Sequence, residues 1–183
     1  MSKIKTIDQF NKIASDWLTN LEKKSEEEIL INPCEGCWSL SELYDHIIRV
    51  ARSYQIPNFK KSITAEAERK KRKNLIGFAI FNLGLRKVNK TIKMEKFPKP
   101  LVEKFTPKKQ NKIDLIKDFK LFIKEVNNLK QILIISSKQN KQYHPMFGDI
   151  STKDWLTIII FHINHHEKQK IRINHFLESR QSE

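Results

Sequence analysis

Apolar residues recur every three or four positions in four long segments of the sequence, which is the spacing of one face of an α-helix. These segments cover about residues 6–30, 39–56, 113–136 and 151 onward. Ser39 and Glu42 start the second segment with a capping-box pattern, and Pro57 is expected to end it. No segment shows an alternation of apolar and polar residues strong enough to indicate a strand. The sequence therefore predicts an all-α protein.

The four predicted helices are long enough to pack against one another around a single core. A chain of 183 residues, 39% hydrophobic and with only four glycines, suits one helical domain. We predict that residues 1–183 form one four-helix bundle of antiparallel helices. A long crossover insertion, at about 59–107, separates the second helix from the third. A connection of that length in a compact domain usually has a function, such as a lid or a pocket wall.

Three of the six histidines lie within five positions of the predicted fourth helix. His162 and His166 are four residues apart, so their imidazoles lie one above the other on one helix face. His46 lies on the apolar face of the second helix. Two ligands from one helix and a third from another suit an open divalent-metal site in a helical bundle. The alternative is that these imidazoles are hydrogen-bonded residues of the core.

Two neighbours of this pair have different expected roles. His165 is rotated about 100° around the helix from His166 and should point elsewhere, to the surface or to the surroundings of the site. Gln169 follows His166 by one turn on the same face. It is a candidate either to contact a molecule bound at the metal or to orient a ligand histidine.

Cys34 and Cys37 form a C-x-x-C pattern just before the second helix. This spacing occurs in redox pairs and in halves of zinc sites. The chain has no second C-x-x-C and no thioredoxin-like βαβ pattern around this one. We therefore interpret the pair as incidental, with a reactive Cys37 near a helix N-terminus as the alternative.

Two stretches of the sequence resemble the DinB-like superfamily. The segment Trp38-Ser-Leu-Ser-Glu-Leu-Tyr-Asp-His46 resembles its W-S-x-x-E-x-x-x-H motif. The C-terminal stretch, His144-Pro-Met-Phe-Gly148 followed by Trp155 and by His162 to Gln169, looks like the signature of the branch known as DUF1569. The matching residues come from both ends of the chain and occur in the same order as in the family.

The resemblance implies a fold, a metal site and a class of reactions. The fold is a four-helix bundle of up-down-down-up type, and the metal is a divalent ion, usually zinc or nickel, held by His46, His162 and His166. His144 would then fix the turn before the last helix. The superfamily includes thiol-S-transferases that use low-molecular-weight thiols, and a maleylpyruvate isomerase. The expected function is thus a metal-dependent transferase or hydrolase that acts on a small molecule, either anionic or a thiol. The many apolar helix faces are also compatible with a homodimer.

The positive charge of the chain supports an alternative function. The formal net charge is +14, and residues 60–109 contain sixteen Lys or Arg residues and four Glu residues. Such a segment can attract nucleic acid or an anionic membrane. The alternative is therefore a non-enzymatic binding protein that contacts one of them through residues 60–109. A solvated lysine-rich surface would have the same composition.

The sequence also predicts the cellular compartment of the protein. Its first residues lack the apolar run of a signal peptide, and no stretch reaches the roughly eighteen apolar residues of a membrane span. A cytoplasmic protein is predicted.

Overall fold

The computed structural model of the chain is mostly helical. This helix content confirms the predicted all-α class. It describes residues 2–64, 72–84 and 99–180. The helices are α1 (Lys3–Lys23), α2 (Glu26–Leu30), α3 (Leu40–Val50), α4 (Ile56–Thr64), α5 (Leu75–Phe81), α6 (Lys99–Phe105), α7 (Lys112–Ile135) and α8 (Thr152–Arg180), and a π-helical turn (Ala51–Gln55) joins α3 to α4. The strands β1 (Lys141–His144) and β2 (Gly148–Ser151) form a small antiparallel sheet.

The first predicted helix is divided in two. It was expected to run unbroken to about residue 30, but α1 ends at Lys23 and Lys24 is extended. Ser25 then begins α2 with a complete capping box, in which its hydroxyl accepts from the Glu28 amide and the Glu28 carboxylate accepts from the Ser25 amide. A strong capping box starts a new helix because it satisfies amide groups that the helix leaves without partners.

The prediction that the second helix ends before Pro57 is wrong. The chain stays helical through the π turn and on to Thr64, so the insertion begins after residue 64 rather than at 59. In a regular α-helix, the ring of Pro57 would clash with the carbonyl group four residues earlier. The wider π turn lies immediately before Pro57, where the Ile56 amide donates to Ala51 five residues back. The rest of the insertion includes α5 and α6, while residues 65–71 and 85–98 lie outside the described residues.

A β-hairpin that the sequence analysis did not predict lies between α7 and α8. Its turn is the predicted His144–Gly148 turn, but each strand has only four residues, too few for a visible alternation. Gly148 has φ +72°, and a Cβ there would come within 2.9 Å of the Arg72 carbonyl oxygen. The Asn74 amide donates to the Phe147 carbonyl at 3.0 Å, so the hairpin holds the start of α5.

The core lies where α1, α3, α7 and α8 pack against one another. Its largest fully buried side chains include Trp17, Tyr44, Phe119 and Trp155. The Tyr44 hydroxyl donates to the Trp17 carbonyl at 2.7 Å and so ties α3 to α1. This packing places one face of α3 directly against α8. None of the described helices is both long enough and apolar enough to cross a membrane.

Candidate metal centre

The structure brings His46, His162 and His166 together between α3 and α8. The Nε2 atom of His162 lies 3.2 Å from the Nε2 atom of His46 and 3.2 Å from that of His166. One ligand atom from each residue lies within 4.8 Å of the other two. The helical spacing supplies the pair on α8, and the packing of α3 against α8 supplies the third imidazole.

The two separations of 3.2 Å about His162 fit a shared metal ion. Ligand nitrogens at the usual zinc–imidazole distance lie roughly 3.3 Å apart in a tetrahedral site. Two neutral imidazoles facing each other at 3.2 Å can share at most one N–H···N hydrogen bond, and here three such nitrogens converge on one point. The residues therefore fit a divalent cation, and three protein ligands leave a coordination position for a further molecule.

The tautomer of His46 is set by a backbone carbonyl group. Its Nδ1 lies 2.8 Å from the carbonyl oxygen of Phe105, at the end of α6. Because a carbonyl oxygen only accepts, Nδ1 carries the proton and Nε2 presents its lone pair to the other histidines. The indole of Trp38 packs against the ring of His46, with 4.7 Å between the centroids. His46 is therefore fixed both by a hydrogen bond and by packing.

Gln169 orients His166. Its Oε1 atom lies 3.0 Å from the Nδ1 atom of His166, so that Nδ1 donates and Nε2 is left to bind. Of the two roles that the sequence analysis left open for Gln169, the geometry favours orientation of a ligand.

Replacing Gln169 with leucine should weaken metal binding, because His166 would lose the acceptor that selects its tautomer. We expect the affinity for the metal to fall about 10- to 100-fold, as is usual when the hydrogen-bond partner of a metal-binding histidine is removed. Gln169→Glu keeps an acceptor and should restore most of the affinity. Titration of a zinc indicator in competition with each variant measures the change. Equal affinities of the leucine variant and the unmodified chain would exclude the orienting role.

His162 is the central member of the cluster. Its Nε2 faces both partners, while its Nδ1 is shielded from solvent and has no hydrogen-bond partner among the described residues. A buried imidazole nitrogen without a partner is costly in a core that only needs packing. The observation that favours a ligand role for His162 is the position of its Nε2 atom, which lies 3.2 Å from the Nε2 atoms of both His46 and His166.

Burial keeps all three imidazoles neutral. It lowers the pKa of His46, and it lowers the pKa of His166 to about 3. Burial, together with His166 and His46, holds the pKa of His162 well below its usual value. Neutral imidazole is the form that binds metals, so at neutral pH the cluster needs no proton release before binding.

His165 does not converge with the other three histidines. Its side chain is exposed, with its ring 5.0 Å from that of His166, as the rotation of 100° predicted.

Asp45 has a role that was not predicted from the sequence. It is buried beside His46, and its carboxylate accepts from the Lys108 amide at 2.7 Å and from Gln110 Nε2 at 2.7 Å. Asp45 thus holds the chain that follows Phe105, whose carbonyl group orients His46.

The structure also shows the surroundings of Trp38 and of the two cysteines. Trp38 is partly buried, and its ring packs against the rings of His46 and His166. Cys34 and Cys37 form a disulfide, so Cys37 is not the free reactive thiol of the alternative interpretation. Neither sulfur belongs to the group of ligand atoms that meets between α3 and α8.

His144 stabilises the hairpin turn and lies outside the metal cluster. Its Nδ1 accepts from the Met146 amide at 3.1 Å, and its ring stacks on Phe147 with 4.5 Å between the centroids. This placement agrees with its expected role in fixing the turn. Burial lowers the pKa of His144 to about 4.

This shift predicts a pH-dependent stability. Between pH 6.5 and about 4, unfolded His144 binds a proton and folded His144 does not, so the free energy of unfolding falls as the pH falls through this range. We expect about 2 kcal/mol of this loss to be absent in His144→Asn, which keeps an acceptor for Met146 but does not titrate. Urea unfolding of both chains without metal measures the difference. Identical pH profiles would contradict a buried, neutral His144.

Comparisons of the chain with models of known protein families, and with curated proteins, found no match.

Proposed function

We propose that this chain is a DinB-like metalloprotein that binds a divalent ion, zinc or nickel, through His46, His162 and His166. The observation that carries the proposal is the convergence of three neutral imidazole nitrogens, with Nε2 separations of 3.2 Å about His162. The Phe105 carbonyl group accepts from Nδ1 of His46, and Gln169 accepts from Nδ1 of His166. The Nε2 lone pairs of both histidines are therefore directed to the same point. A merely structural polar cluster does not require this arrangement.

The directions of the packed helices support the up-down-down-up bundle that the proposal includes. Lys3, at the start of α1, bonds to Ile134 at the end of α7, which makes α1 and α7 antiparallel. Ser41, at the start of α3, bonds to Gln110 just before α7, as parallel helices would. Ser62, at the end of α4, bonds to Thr152, at the start of α8, as antiparallel helices would.

We further propose that the site performs metal-dependent chemistry on a small molecule, either a thiol transfer or a hydrolysis. A bound divalent ion would supply a Lewis acid that lowers the pKa of a thiol or a water molecule. The chain itself supplies the fixed imidazoles, with Gln169 and the Phe105 carbonyl holding two of them. The ring of Trp38 packs against His46 and His166 on one side of the cluster.

The thiol branch of this proposal has a direct test. Cobalt(II) is loaded into the untagged chain, and glutathione or cysteine is added while the absorption spectrum is recorded. Thiol binding at the open position should produce sulfur-to-cobalt charge-transfer absorption that saturates with thiol. Serine, which has a hydroxyl in place of the thiol, is the control for cysteine and should produce none. Absence of the band with a fully cobalt-loaded chain would exclude thiol transfer and leave the hydrolytic branch.

A further inference from the structure

The Cys34–Cys37 disulfide lies in the surface loop between α2 and α3. Cys34 is exposed, together with Glu35 and Gly36, while Cys37 is half-buried. Exposed disulfides are the ones that small thiols reach and reduce, whereas buried disulfides resist exchange. A thiol in solution therefore has access to this disulfide, and Cys34 is its more accessible half.

The turn that carries the two cysteines is closed by the backbone as well as by the disulfide. The Cys37 amide donates to the Cys34 carbonyl oxygen at 3.1 Å, and Gly36, the third residue of this β-turn, has φ +72°, which glycine adopts without strain. The Cα atoms of the two cysteines lie 5.1 Å apart, within the usual range for a disulfide. Because the backbone hydrogen bond involves neither sulfur, the two thiols should remain neighbours after reduction and can pair again.

Hydrogen bonds from outside the turn hold Cys37 in place. Asn32 Nδ2 donates to the Cys37 carbonyl oxygen at 2.6 Å and to the Glu42 carboxylate at 2.8 Å. That carboxylate also accepts from the Ser39 amide at 2.9 Å in the capping box of α3. These three bonds do not involve a sulfur atom, so they persist when the disulfide is broken. Reduction of the pair should therefore leave the start of α3 folded.

We propose that Cys34–Cys37 is a redox-active disulfide that exchanges with low-molecular-weight thiols. The thiolate of the small thiol attacks Sγ of Cys34, the bond between the cysteines breaks, and Cys37 leaves as a thiolate that takes up a proton. A second small thiolate attacks the small-thiol sulfur of this mixed disulfide and releases Cys34, which takes up a proton as well. Two small thiols are thus oxidised to one small disulfide while the two cysteines are reduced. The reverse reaction uses the small disulfide as its oxidant, and neither direction depends on the metal centre.

The test is a titration of the full chain, as purified, in buffers with different ratios of reduced to oxidised glutathione. Free thiols are blocked with iodoacetamide after equilibration, and mass spectrometry of the intact chain counts them. We expect one transition from no blocked cysteine to two, at the same ratio whether the chain starts oxidised or reduced. Cysteines that stay protected in every buffer would identify a structural disulfide and overturn the proposal, and so would cysteines that are blocked in every buffer.

The site of attack is tested with the two single variants, each of which leaves one free thiol. With oxidised glutathione, Cys34 in Cys37→Ser should form a mixed disulfide about fivefold or more faster than Cys37 in Cys34→Ser, because Cys34 is the more exposed. Mass spectrometry of the intact chain over time measures both rates. Equal rates, or a faster reaction of Cys37, would contradict attack at Cys34.

The role of Asn32 is tested by Asn32→Leu. Without this donor, Cys37 is positioned less well toward Cys34, so the transition should occur at a glutathione ratio about fivefold less reducing. Asn128→Leu is the matched control, since Asn128 is exposed on α7, and its transition should match that of the unmodified chain. Transitions at the same ratio in the two variants would contradict the positioning of Cys37 by Asn32.

The double variant Cys34→Ser with Cys37→Ser separates this proposal from that of the metal centre. It should keep the metal content of the unmodified chain, because the proposed ligands are His46, His162 and His166. Elemental analysis of both chains measures the difference. Loss of the metal in the double variant would overturn the exchange proposal, since cysteines that hold a metal ion are not paired as a disulfide.

Discussion

Replacing His162 with alanine is expected to abolish stoichiometric metal binding. His162 is the one imidazole whose Nε2 lies 3.2 Å from both of the others, so its loss leaves two ligands on different helices with no common neighbour. The affinity for the metal should fall by more than about a hundredfold. This loss is larger than that expected for Gln169, which only hydrogen-bonds to a ligand histidine. Elemental analysis after purification without a His-tag, and competition with a zinc indicator, measure the change.

His165→Ala is the matched control for this prediction. It removes an imidazole from the same helix, but His165 is exposed and does not belong to the cluster. Its metal content should equal that of the unmodified chain. Full metal retention by the His162 variant would rule out the three-histidine site, and so would an equal loss in both variants.

Replacing Asp45 with alanine should produce the largest loss of stability. The buried carboxylate accepts from Arg49, from the Lys108 amide and from Gln110. Its removal would leave the Lys108 and Gln110 donors without this acceptor, at a cost of about 3 kcal/mol in the free energy of unfolding. Because these bonds hold the chain after Phe105, the metal affinity should fall as well. Urea unfolding without metal, followed by a zinc titration, measures both effects.

Asp118→Ala provides the comparison for Asp45. The Asp118 carboxylate pairs with Arg52 at 2.8 Å, but both side chains are about one-third exposed and Arg52 keeps its second partner, Glu125. The cost should be below about 1 kcal/mol, as for surface ion pairs, and the metal affinity should not change. A cost for Asp45→Ala as small as that for Asp118→Ala would show that the buried network does not support the site.

The helical class and the three converging histidines could be predicted because they depend on periodicity. His46 lies on an apolar stripe, and His162 and His166 lie one turn apart, so packing the stripes together brings the imidazoles together. The failed predictions involve local effects that compete with periodicity. The capping box at Ser25 divides a helix whose apolar pattern continues through it, and the π turn lets another helix pass Pro57.

The groups that support the histidines were harder to predict, since some of them carry no side-chain signal. The partner of His46 is a backbone carbonyl, which any residue at position 105 would provide. Asp45 could be seen beside His46 in the sequence, but its partners Lys108 and Gln110 are more than sixty residues away across the insertion.

Metal K-edge X-ray absorption of the untagged, metal-loaded chain tests the central proposal most directly. A metal held by His46, His162 and His166 should give scattering from three imidazole rings, with nitrogen at about 2.0–2.1 Å if the ion is zinc. A spectrum without imidazole scattering would contradict the site. Scattering from two protein sulfurs, in a sample without added thiol, would contradict it as well and would assign the metal to Cys34 and Cys37.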